Sequence, residues 1–347
     1  MPRQSPVPPA EYGPTRSADP PAALPLGVAL ATGRGGLPVL LVDGAAARAE
    51  IYLQGATVTQ WTPAGHDPVL WVSSASRFTR DTAIRGGVPI CFPWFGAQSG
   101  HPESPSHGFA RLSQWSLVAA QDDGVDVTVR LRLTDDDATR ASTWPHRFEA
   151  VYTVVVGSRL SLALQITNLG DEAVVFEEAL HTYLDVPDIR TTEVTGLEGT
   201  MFYDKLAGPE PVPGDADPVG FRSETDRIYL DTPATTTVRD TESGRAVLIG
   251  KAGSQTTVVW NPWIDGARRL RDLGNDEWKR MVCVEVCNVG EAAVALAPGE
   301  SHTMTATFEV LPVQAADSRT ATPGQPGSAR VIASDQRRRP AAQETSS

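Results

Sequence analysis

The sequence predicts an all-β protein built as one large antiparallel β-sandwich. Short runs rich in Val, Thr, Ile and Leu recur along the chain, and several alternate apolar with polar or small residues. A period of two is typical of half-buried antiparallel strands. Turn residues separate the runs, and helical periodicity is nearly absent. These patterns favour two packed sheets over an alternating βαβ enzyme.

The clearest predicted strands and turns can be read off in chain order. The four best strands are VDVTVRLRL (125–133), FEAVYTVVV (148–156), RLSLALQITNLG (159–170) and TMTATFEVL (303–311). Gly-Ser at 157–158 separates the second run from the third and predicts a hairpin. The one segment with helical spacing is RRLRDLGNDEWKRM, which predicts a short helix at 268–281.

Both ends of the chain differ in composition from the middle. Residues 1–24 are rich in Pro and small residues, and residues 314–347 contain no aromatic side chain. Segments of this composition bury too little apolar surface to offset the entropy lost on ordering. We therefore predict a disordered N-terminal tail at 1–24, a folded domain at 25–313 and a disordered C-terminal tail at 314–347.

Charge and hydropathy limit the classes of partner. The 347 residues carry 30 Lys+Arg against 42 Asp+Glu, a formal charge of -12 that would repel a polyphosphate backbone. No stretch approaches the roughly 18 uninterrupted apolar residues of a membrane helix, and the N-terminus lacks the apolar core of a signal peptide. We expect no nucleic-acid partner and no membrane insertion.

The three cysteines, Cys91, Cys283 and Cys287, are too few for a disulfide framework. Cys283 and Cys287 also lack a second pair with which to complete a zinc site. The chain therefore suits a reducing compartment, and we expect a cytoplasmic protein without a metal.

The densest cluster of unusual residues is IRGGVPICFPWFG at 84–96, followed by SHGFARLSQW at 106–115. Its glycines and prolines predict a rigid, irregular segment, a kind of loop that often carries function. Arg85 and Arg111 bracket the cluster. Its Gly-Gly lacks the context of a nucleotide-binding loop, so we expect no nucleotide there. A structural turn stiffened by proline is an equal alternative to a functional loop.

Two histidines and one glutamate are candidates for acid–base chemistry. His107 precedes a glycine, and an ordinary surface or hydrogen-bonded polar residue is the alternative for it. His181 lies among apolar residues that suggest a buried strand, where a core histidine is the alternative. Glu285 lies in RMVCVEVCNVG, and strand alternation would point it to the same side as Cys283 and Cys287. Desolvation would raise its pKa toward the range useful for a general base, unless a buried arginine pairs with it.

Two further segments suit a sugar. VVWNPWID at 258–265 carries two tryptophans, and ETDRIYL at 224–230 places Asp226 and Arg227 before a predicted strand. Aromatic faces stack on sugar rings, while carboxylates and guanidinium groups bind their hydroxyls. The tryptophans could equally be core residues.

Taken together and in order, these segments resemble the aldose 1-epimerase (mutarotase) superfamily, and within it the D-hexose-6-phosphate mutarotases. The resemblance runs from about Leu26 to Val313. Its further motifs are IYLQGATVTQW (51–61), PVLWVS (68–73), HGFAR (107–111), ALHTYLDV (179–186) and MVCVEVCN (281–288). It implies the galactose mutarotase-like sandwich, with sugar bound on a concave sheet face.

The resemblance also implies roles for six residues. Glu285 would be the general base at the C1 hydroxyl, and His181 the general acid at the ring oxygen. His107 and Asp226 would bind the sugar. Arg85 and Arg111 would bind the phosphate, for which a planar guanidinium offers two parallel donors. The WNPW motif is followed by IDGARRLRD in place of the family's lysine-bearing sequence.

The resulting prediction is a monomeric isomerase that interconverts the anomers of a hexose 6-phosphate without a cofactor. A mutarotase for unphosphorylated aldoses is the first alternative, and it would have little use for Arg85 and Arg111. The second is a non-catalytic carbohydrate-binding or sugar-sensing protein on the same scaffold, which would not need His181 and Glu285.

Overall fold

The computed structural model describes residues 23–240 and 245–312. The predicted C-terminal tail lies outside these ranges, as does the predicted N-terminal tail except for its last two residues. The strands are Val28–Thr32 (β1), Pro38–Asp43 (β2), Ala47–Tyr52 (β3), Val58–Pro63 (β4), Ile90–Cys91 (β5), Ser116–Asp122 (β6), Val127–Thr134 (β7), Phe148–Val156 (β8), Arg159–Asn168 (β9), Val174–Phe176 (β10), Glu178–Leu180 (β11), Tyr183–Asp185 (β12), Thr192–Thr195 (β13), Phe202–Asp204 (β14), Pro211–Val212 (β15), Val219–Gly220 (β16), Thr225–Tyr229 (β17), Thr236–Asp240 (β18), Arg245–Ala252 (β19), Thr256–Asn261 (β20), Met281–Asn288 (β21), Val294–Leu296 (β22) and Ser301–Pro312 (β23).

Helical structure in the described ranges is short. The α-helices are Asp137–Arg140 (α1) and Trp263–Arg269 (α2). Single 3-10 turns occupy Arg34–Gly36, Ile189–Thr191, Glu277–Arg280 and Gly290–Ala292. Within these residues, no helix combines the length and the apolar character that crossing a bilayer requires.

The strands form two large antiparallel sheets and two small ones. The nine-stranded sheet has the order β16-β13-β18-β19-β23-β9-β8-β7-β6. The eight-stranded sheet has the order β15-β14-β17-β20-β21-β11-β5, with β12 also paired to β21. A four-stranded sheet, β1 to β4, and the pair β10-β22 complete the fold. The predicted antiparallel sandwich is confirmed.

One apolar core joins the two large sheets. It contains Val154 and Leu162 from the nine-stranded sheet and Val282 and Val284 from the eight-stranded sheet, all fully buried. Each such side chain stabilises the fold by about 1.5–3 kcal/mol. Burial alternates strictly along β8, as the period of two predicted.

The predicted strand and hairpin positions agree closely with the structure. β8 begins and ends as predicted, and the pair Val156 and Leu160 closes the hairpin around 157–158. β21 runs unbroken through Cys283, Glu285 and Cys287, so alternation directs these three side chains to one side of the sheet.

The helix predicted at 268–281 is wrong. α2 begins earlier, at Trp263, whose backbone N–H donates to the side chain of Asn261 at 2.9 Å, and it ends at Arg269. Leu270 then turns to extended backbone. The Glu277 carboxylate accepts hydrogen bonds from Gly274 N and from Ser73 Oγ. This tertiary anchor holds 270–276 as a loop, which overrides the helical spacing.

Candidate active site

The site lies on the outer face of the eight-stranded sheet, and its residues follow from the strand register. Glu285 on β21 pairs with Val258 on β20, and Cys283 pairs with Trp260. Trp260 in turn pairs with Asp226 on β17, which lies inside that strand, not before it as expected. On the other side of β21, Cys283 pairs with Tyr183 of β12.

All six predicted site residues line one cavity of about 320 Å³. Its other lining residues are Phe95, Ser106, Lys205, Val258, Trp260 and Leu270. Three surface grooves of about 550 to 580 Å³ are larger, but they contain neither His181 nor Glu285. The volume and the mixture of aromatic and charged walls suit one small polar molecule.

His181 and Glu285 form a buried pair at the base of the cavity. His181 Nε2 lies 3.4 Å from Glu285 Oε1, and the two side chains are 7% and 1% exposed. Burial lowers the pKa of His181 well below 6.5 and raises the pKa of Glu285 well above 4.5. These two shifts favour the pair with both groups uncharged and one proton shared between them.

A break between two strands aims His181 at Glu285. His181 lies between β11 and β12, where Thr182 N donates to Leu180 O at 2.8 Å. The His181 ring stacks on Tyr183, with centroids 4.8 Å apart. His181 Nδ1 and Glu285 Oε2 are buried and have no hydrogen-bond partner in the described chain. The expected buried strand is thus interrupted at the histidine.

His107 stands beside this pair as a hydrogen-bond donor. Its Nδ1 accepts from Gly96 N at 3.2 Å, so its proton resides on Nε2. Its ring centroid lies 5.5 Å from that of His181, and burial lowers its pKa well below 6.5. The backbone φ of 63° is strained for a residue with a side chain, a feature that clusters at functional sites.

The irregular segment predicted at 84–96 carries Arg85, and Arg111 follows in the next loop. Arg85 donates to Tyr183 Oη at 3.0 Å and pairs with Asp272 at 3.1 Å. Arg111 donates to Ser106 O at 2.7 Å and makes no ion pair among the described residues. The Nε of each arginine is buried without a protein acceptor. Two unsatisfied buried donors favour an anionic ligand.

Asp226 marks the opposite side of the cavity. Its Oδ2 lies 3.3 Å from Lys205 Nζ, and burial raises its pKa. Arg227, the next residue, lies over the ring of Phe202 and does not line the cavity. Of the two tryptophans in VVWNPWID, Trp260 lines the cavity. Trp263 packs on Trp278, with ring centroids 4.4 Å apart.

One group of side chains near the base could be considered for a metal. Ligand atoms of His181, Cys283 and Glu285 lie within 4.8 Å of one another. Burial raises the pKa of the Cys283 thiol well above 9.0, whereas zinc binds the thiolate. The donor set is thus better suited to proton transfer than to a metal.

Sequence reasoning missed Lys205, Phe95, Tyr183 and Asp272. Lys205 lies in a turn after β14, and Asp272 lies in the loop at 270–276, within the segment predicted as a helix. Tyr183 was within a quoted motif, two residues from His181, and that spacing could have found it. Phe95 also lay within a quoted motif, IRGGVPICFPWFG, whereas Lys205 and Asp272 reach the site only through tertiary contacts.

Comparisons with known proteins agree with this geometry. The aldose 1-epimerase family model matches residues 38–309. Two relatives described as "Putative glucose-6-phosphate 1-epimerase" are each 36% identical. The match to the Cenchrus ciliaris protein covers 73% of this chain and 78% of the relative, and that to the Escherichia coli protein covers 74% and 84%.

Solved structures extend the match to three dimensions. A Salmonella typhimurium structure described as a "putative mutarotase (YeaD)" has a TM-score of 0.74 at 30% identity, over 82% of this chain and 97% of that one. Galactose 1-epimerase from Lactobacillus acidophilus, 12% identical with a TM-score of 0.65 over 84% and 100% of the two chains, shares the fold. The family match spans most of the chain, and this protein belongs to the aldose 1-epimerase family.

Proposed function

We propose that this protein interconverts the α and β anomers of a hexose 6-phosphate, with glucose 6-phosphate as the first candidate. The observation that carries the proposal is one cavity in which the buried His181–Glu285 pair lies beside two arginines with unpartnered donors. The pair suits proton transfer at the anomeric centre, and the arginines suit a phosphate. Relatives with 36% identity bear the name of this activity.

The reaction is assigned to two coupled proton transfers. The Glu285 carboxylate removes the proton of the C1 hydroxyl as the C1–O5 bond breaks, and His181 Nε2 protonates O5. O1 and O5 are attached to the same carbon, so a base and an acid 3.4 Å apart can serve both. Rotation about C1–C2 and reclosure with the transfers reversed yield the other anomer.

The pair starts the step as carboxylate and imidazolium and finishes it as acid and imidazole. The finishing form is the uncharged one that burial favours. The site therefore stabilises the enzyme form that accompanies the open-chain aldehyde. The C1 hydroxyl loses one proton and O5 gains one, and no other group of the protein has to change its protonation.

The other residues bind the substrate. Arg85 and Arg111 hold the phosphate through their unpartnered Nε–H groups. His107 donates from Nε2 to a sugar oxygen, and Asp226 accepts from a hydroxyl. Trp260 offers an apolar wall to the pyranose ring.

We propose further that the protein acts in the cytoplasm as a monomer and binds no nucleic acid. The three free, buried cysteines support a reducing compartment, and the charge of -12 supports the absence of a nucleic-acid partner. Light scattering after size exclusion tests the oligomeric state, and a dimer peak would contradict it.

Magnetisation-exchange NMR on equilibrated anomers tests the activity. Spectra of glucose 6-phosphate and of glucose are recorded with and without catalytic protein. We expect faster exchange for the phosphate ester. In Arg85→Ala, binding of the phosphate ester should weaken much more than binding of glucose.

Other outcomes would redirect the assignment. Equal acceleration of both sugars would indicate a mutarotase for unphosphorylated aldoses. Binding without acceleration would indicate a sugar sensor. If Arg85→Ala weakened the binding of glucose 6-phosphate and of glucose equally, Arg85 would not be a phosphate-binding residue.

A further inference from the structure

The lysine at the edge of the cavity, Lys205, has a fixed place beside Asp226. Its backbone N–H donates to Asp226 O at 3.0 Å, and the turn that contains it is closed by Ala207 N and Asp204 O at 3.0 Å. β14 and β17 pair immediately before this turn. The main chain therefore keeps Lys205 next to Asp226 whether or not their side chains interact.

The Lys205 side chain faces the cavity with donors to spare. Nζ lies 3.3 Å from Asp226 Oδ2 and 5.6 Å from the ring centroid of Phe95, and the side chain is 42% exposed. An ammonium group has three N–H donors, and among the described residues Asp226 is its one ion-pair partner. The remaining donors are available to a ligand.

Lys205 and Arg85 stand on opposite sides of Glu285. From β17, which carries Asp226, the sheet passes through β20 to β21, which carries Glu285. Arg85 is bonded to Tyr183 on β12, one strand beyond β21. At about 4.8 Å per strand, Asp226 and Tyr183 are separated by roughly 14 Å of sheet. A phosphate held by Arg85 thus leaves the pyranose hydroxyls facing Lys205.

A sugar hydroxyl requires both a donor and an acceptor. A carboxylate only accepts and an ammonium only donates, so neither Asp226 nor Lys205 alone satisfies such a hydroxyl. Placed 3.3 Å apart, the two groups can bracket one hydroxyl or a neighbouring pair.

We propose that Lys205 is a substrate-binding residue which, together with Asp226, holds a ring hydroxyl of the sugar on the side of Glu285 opposite the phosphate. The inference rests on the proposed function and extends it to a residue that determines which sugar is accepted. The contacted hydroxyl is one of those at C2, C3 or C4, because C1 reacts, the C5 oxygen closes the ring and C6 carries the phosphate.

The test compares Lys205→Met with a matched control, Lys279→Met. Lys279 is 39% exposed and pairs with Asp276 at 2.8 Å, outside the cavity. For Lys205→Met we expect unchanged melting and a fall in kcat/KM of roughly 10- to 100-fold, the range for a hydrogen bond to a charged group. The fall should be equal for glucose 6-phosphate and glucose. The control should retain the wild-type value.

Deoxy sugars identify the hydroxyl. The 2-, 3- and 4-deoxy forms of glucose 6-phosphate are assayed with wild type and with Lys205→Met. With one of these deoxy sugars, kcat/KM of Lys205→Met should be less than about threefold below that of wild type, because the sugar already lacks the hydroxyl that Lys205 contacts. Three results would overturn the proposal. They are a loss of kcat/KM confined to phosphorylated sugars, no loss of kcat/KM at all, and an equal loss of kcat/KM with all three deoxy sugars.

The same comparison between wild type and Lys205→Met can be made by measuring substrate affinity. Dissociation constants of glucose 6-phosphate and its deoxy forms are measured by calorimetry with both variants. A wild type that binds but does not accelerate exchange would contradict the proposed function, and the pattern of dissociation constants would still decide the role of Lys205.

Discussion

The pair of His181 and Glu285 shows how burial can prepare a proton transfer. In water near neutral pH, a carboxyl group is ionised and an imidazole is mostly uncharged. In the sheet face, desolvation lowers the pKa of one and raises the pKa of the other. Both shifts favour the uncharged acid and imidazole over the ion pair, so the proton transfers of ring opening leave the pair in the form that burial favours.

Glu285→Gln should reduce turnover by at least the roughly 10²–10⁴-fold that a positioned acid–base group supplies. Glutamine retains the shape and the hydrogen-bonding capacity of the side chain but cannot take the C1 proton. Exchange NMR measures the rate, and calorimetry should show that glucose 6-phosphate still binds. Glu193→Gln, in an ion pair with Arg239 on the other large sheet, is the control. Unchanged turnover in Glu285→Gln would remove this residue from the mechanism.

An NMR titration of the free protein should show that its histidines become protonated at different pH values. His181 and His107 should remain neutral as pH falls through 6.5, because burial lowers the pKa of each. His302 should titrate above 6.5, because its hydrogen bond to the buried Glu178 carboxylate raises its pKa. Side-chain nitrogen shifts report each proton, with His181→Asn providing the assignment. A His181 ring that is charged at pH 7 would contradict the uncharged pair.

Residue-level prediction succeeded where the strand period determines the environment. The alternation around Glu285 indicated both its face and its desolvation, and β21 is buried throughout. Lys205 gave no such signal, since DKLAG has the composition of an ordinary turn. Its position in the cavity depends on the register of β14 against β17 and on the approach of Phe95.

At the scale of the element, the loop that carries Arg85 is held by close backbone contacts. Gly87 N donates to Trp71 O at 2.7 Å, and Gly87 O accepts from Tyr183 N at 2.9 Å. The residue has φ of 65°, and a Cβ atom there would lie 2.2 Å from Val58 O. Only glycine allows the chain to pass between these strands while Arg85 reaches Tyr183.

Gly87→Ala should lower the free energy of unfolding by more than the backbone strain of an alanine at positive φ accounts for. Positive φ costs an alanine about 1–2 kcal/mol, and the contact with Val58 O adds to this. Urea unfolding measures the loss. Gly65→Ala is the control, since Gly65 has φ of 80° and nothing within 4 Å of its added Cβ. Equal losses in the two variants would show that the loop yields to the methyl group.

Elements defined by local pattern were predictable, whereas those defined by anchors were not. β8 and β9 follow from alternation and a two-residue turn. Loop 270–276 does not, because the Glu277 carboxylate fastens it to Ser73, about 200 positions away in the chain. No spacing within 268–281 reveals that contact, and the helical pattern there was misleading.

At the scale of the molecule, a strongly acidic chain has a locally cationic cavity. The charge of -12 belongs to the whole surface, whereas Arg85, Arg111 and Lys205 converge on about 320 Å³. Fold class was predictable because it depends on averaged patterns. The cavity was predictable only through the resemblance, since it draws on residues from Arg85 to Glu285 that one topology brings together.

A shortened chain of residues 25–313 should fold and retain the site. Every described strand lies between Val28 and Pro312, and the contacts that hold the six site residues lie within that span. The melting temperature should fall by less than about 4 °C, equivalent to under about 1 kcal/mol for a domain of this size. Glucose 6-phosphate should raise the melting temperature equally in both forms, because stabilisation by a ligand depends only on its affinity for the folded state. A shortened form that melts much earlier, or that responds less to the ligand, would assign the terminal segments a part in the domain and contradict the predicted boundaries.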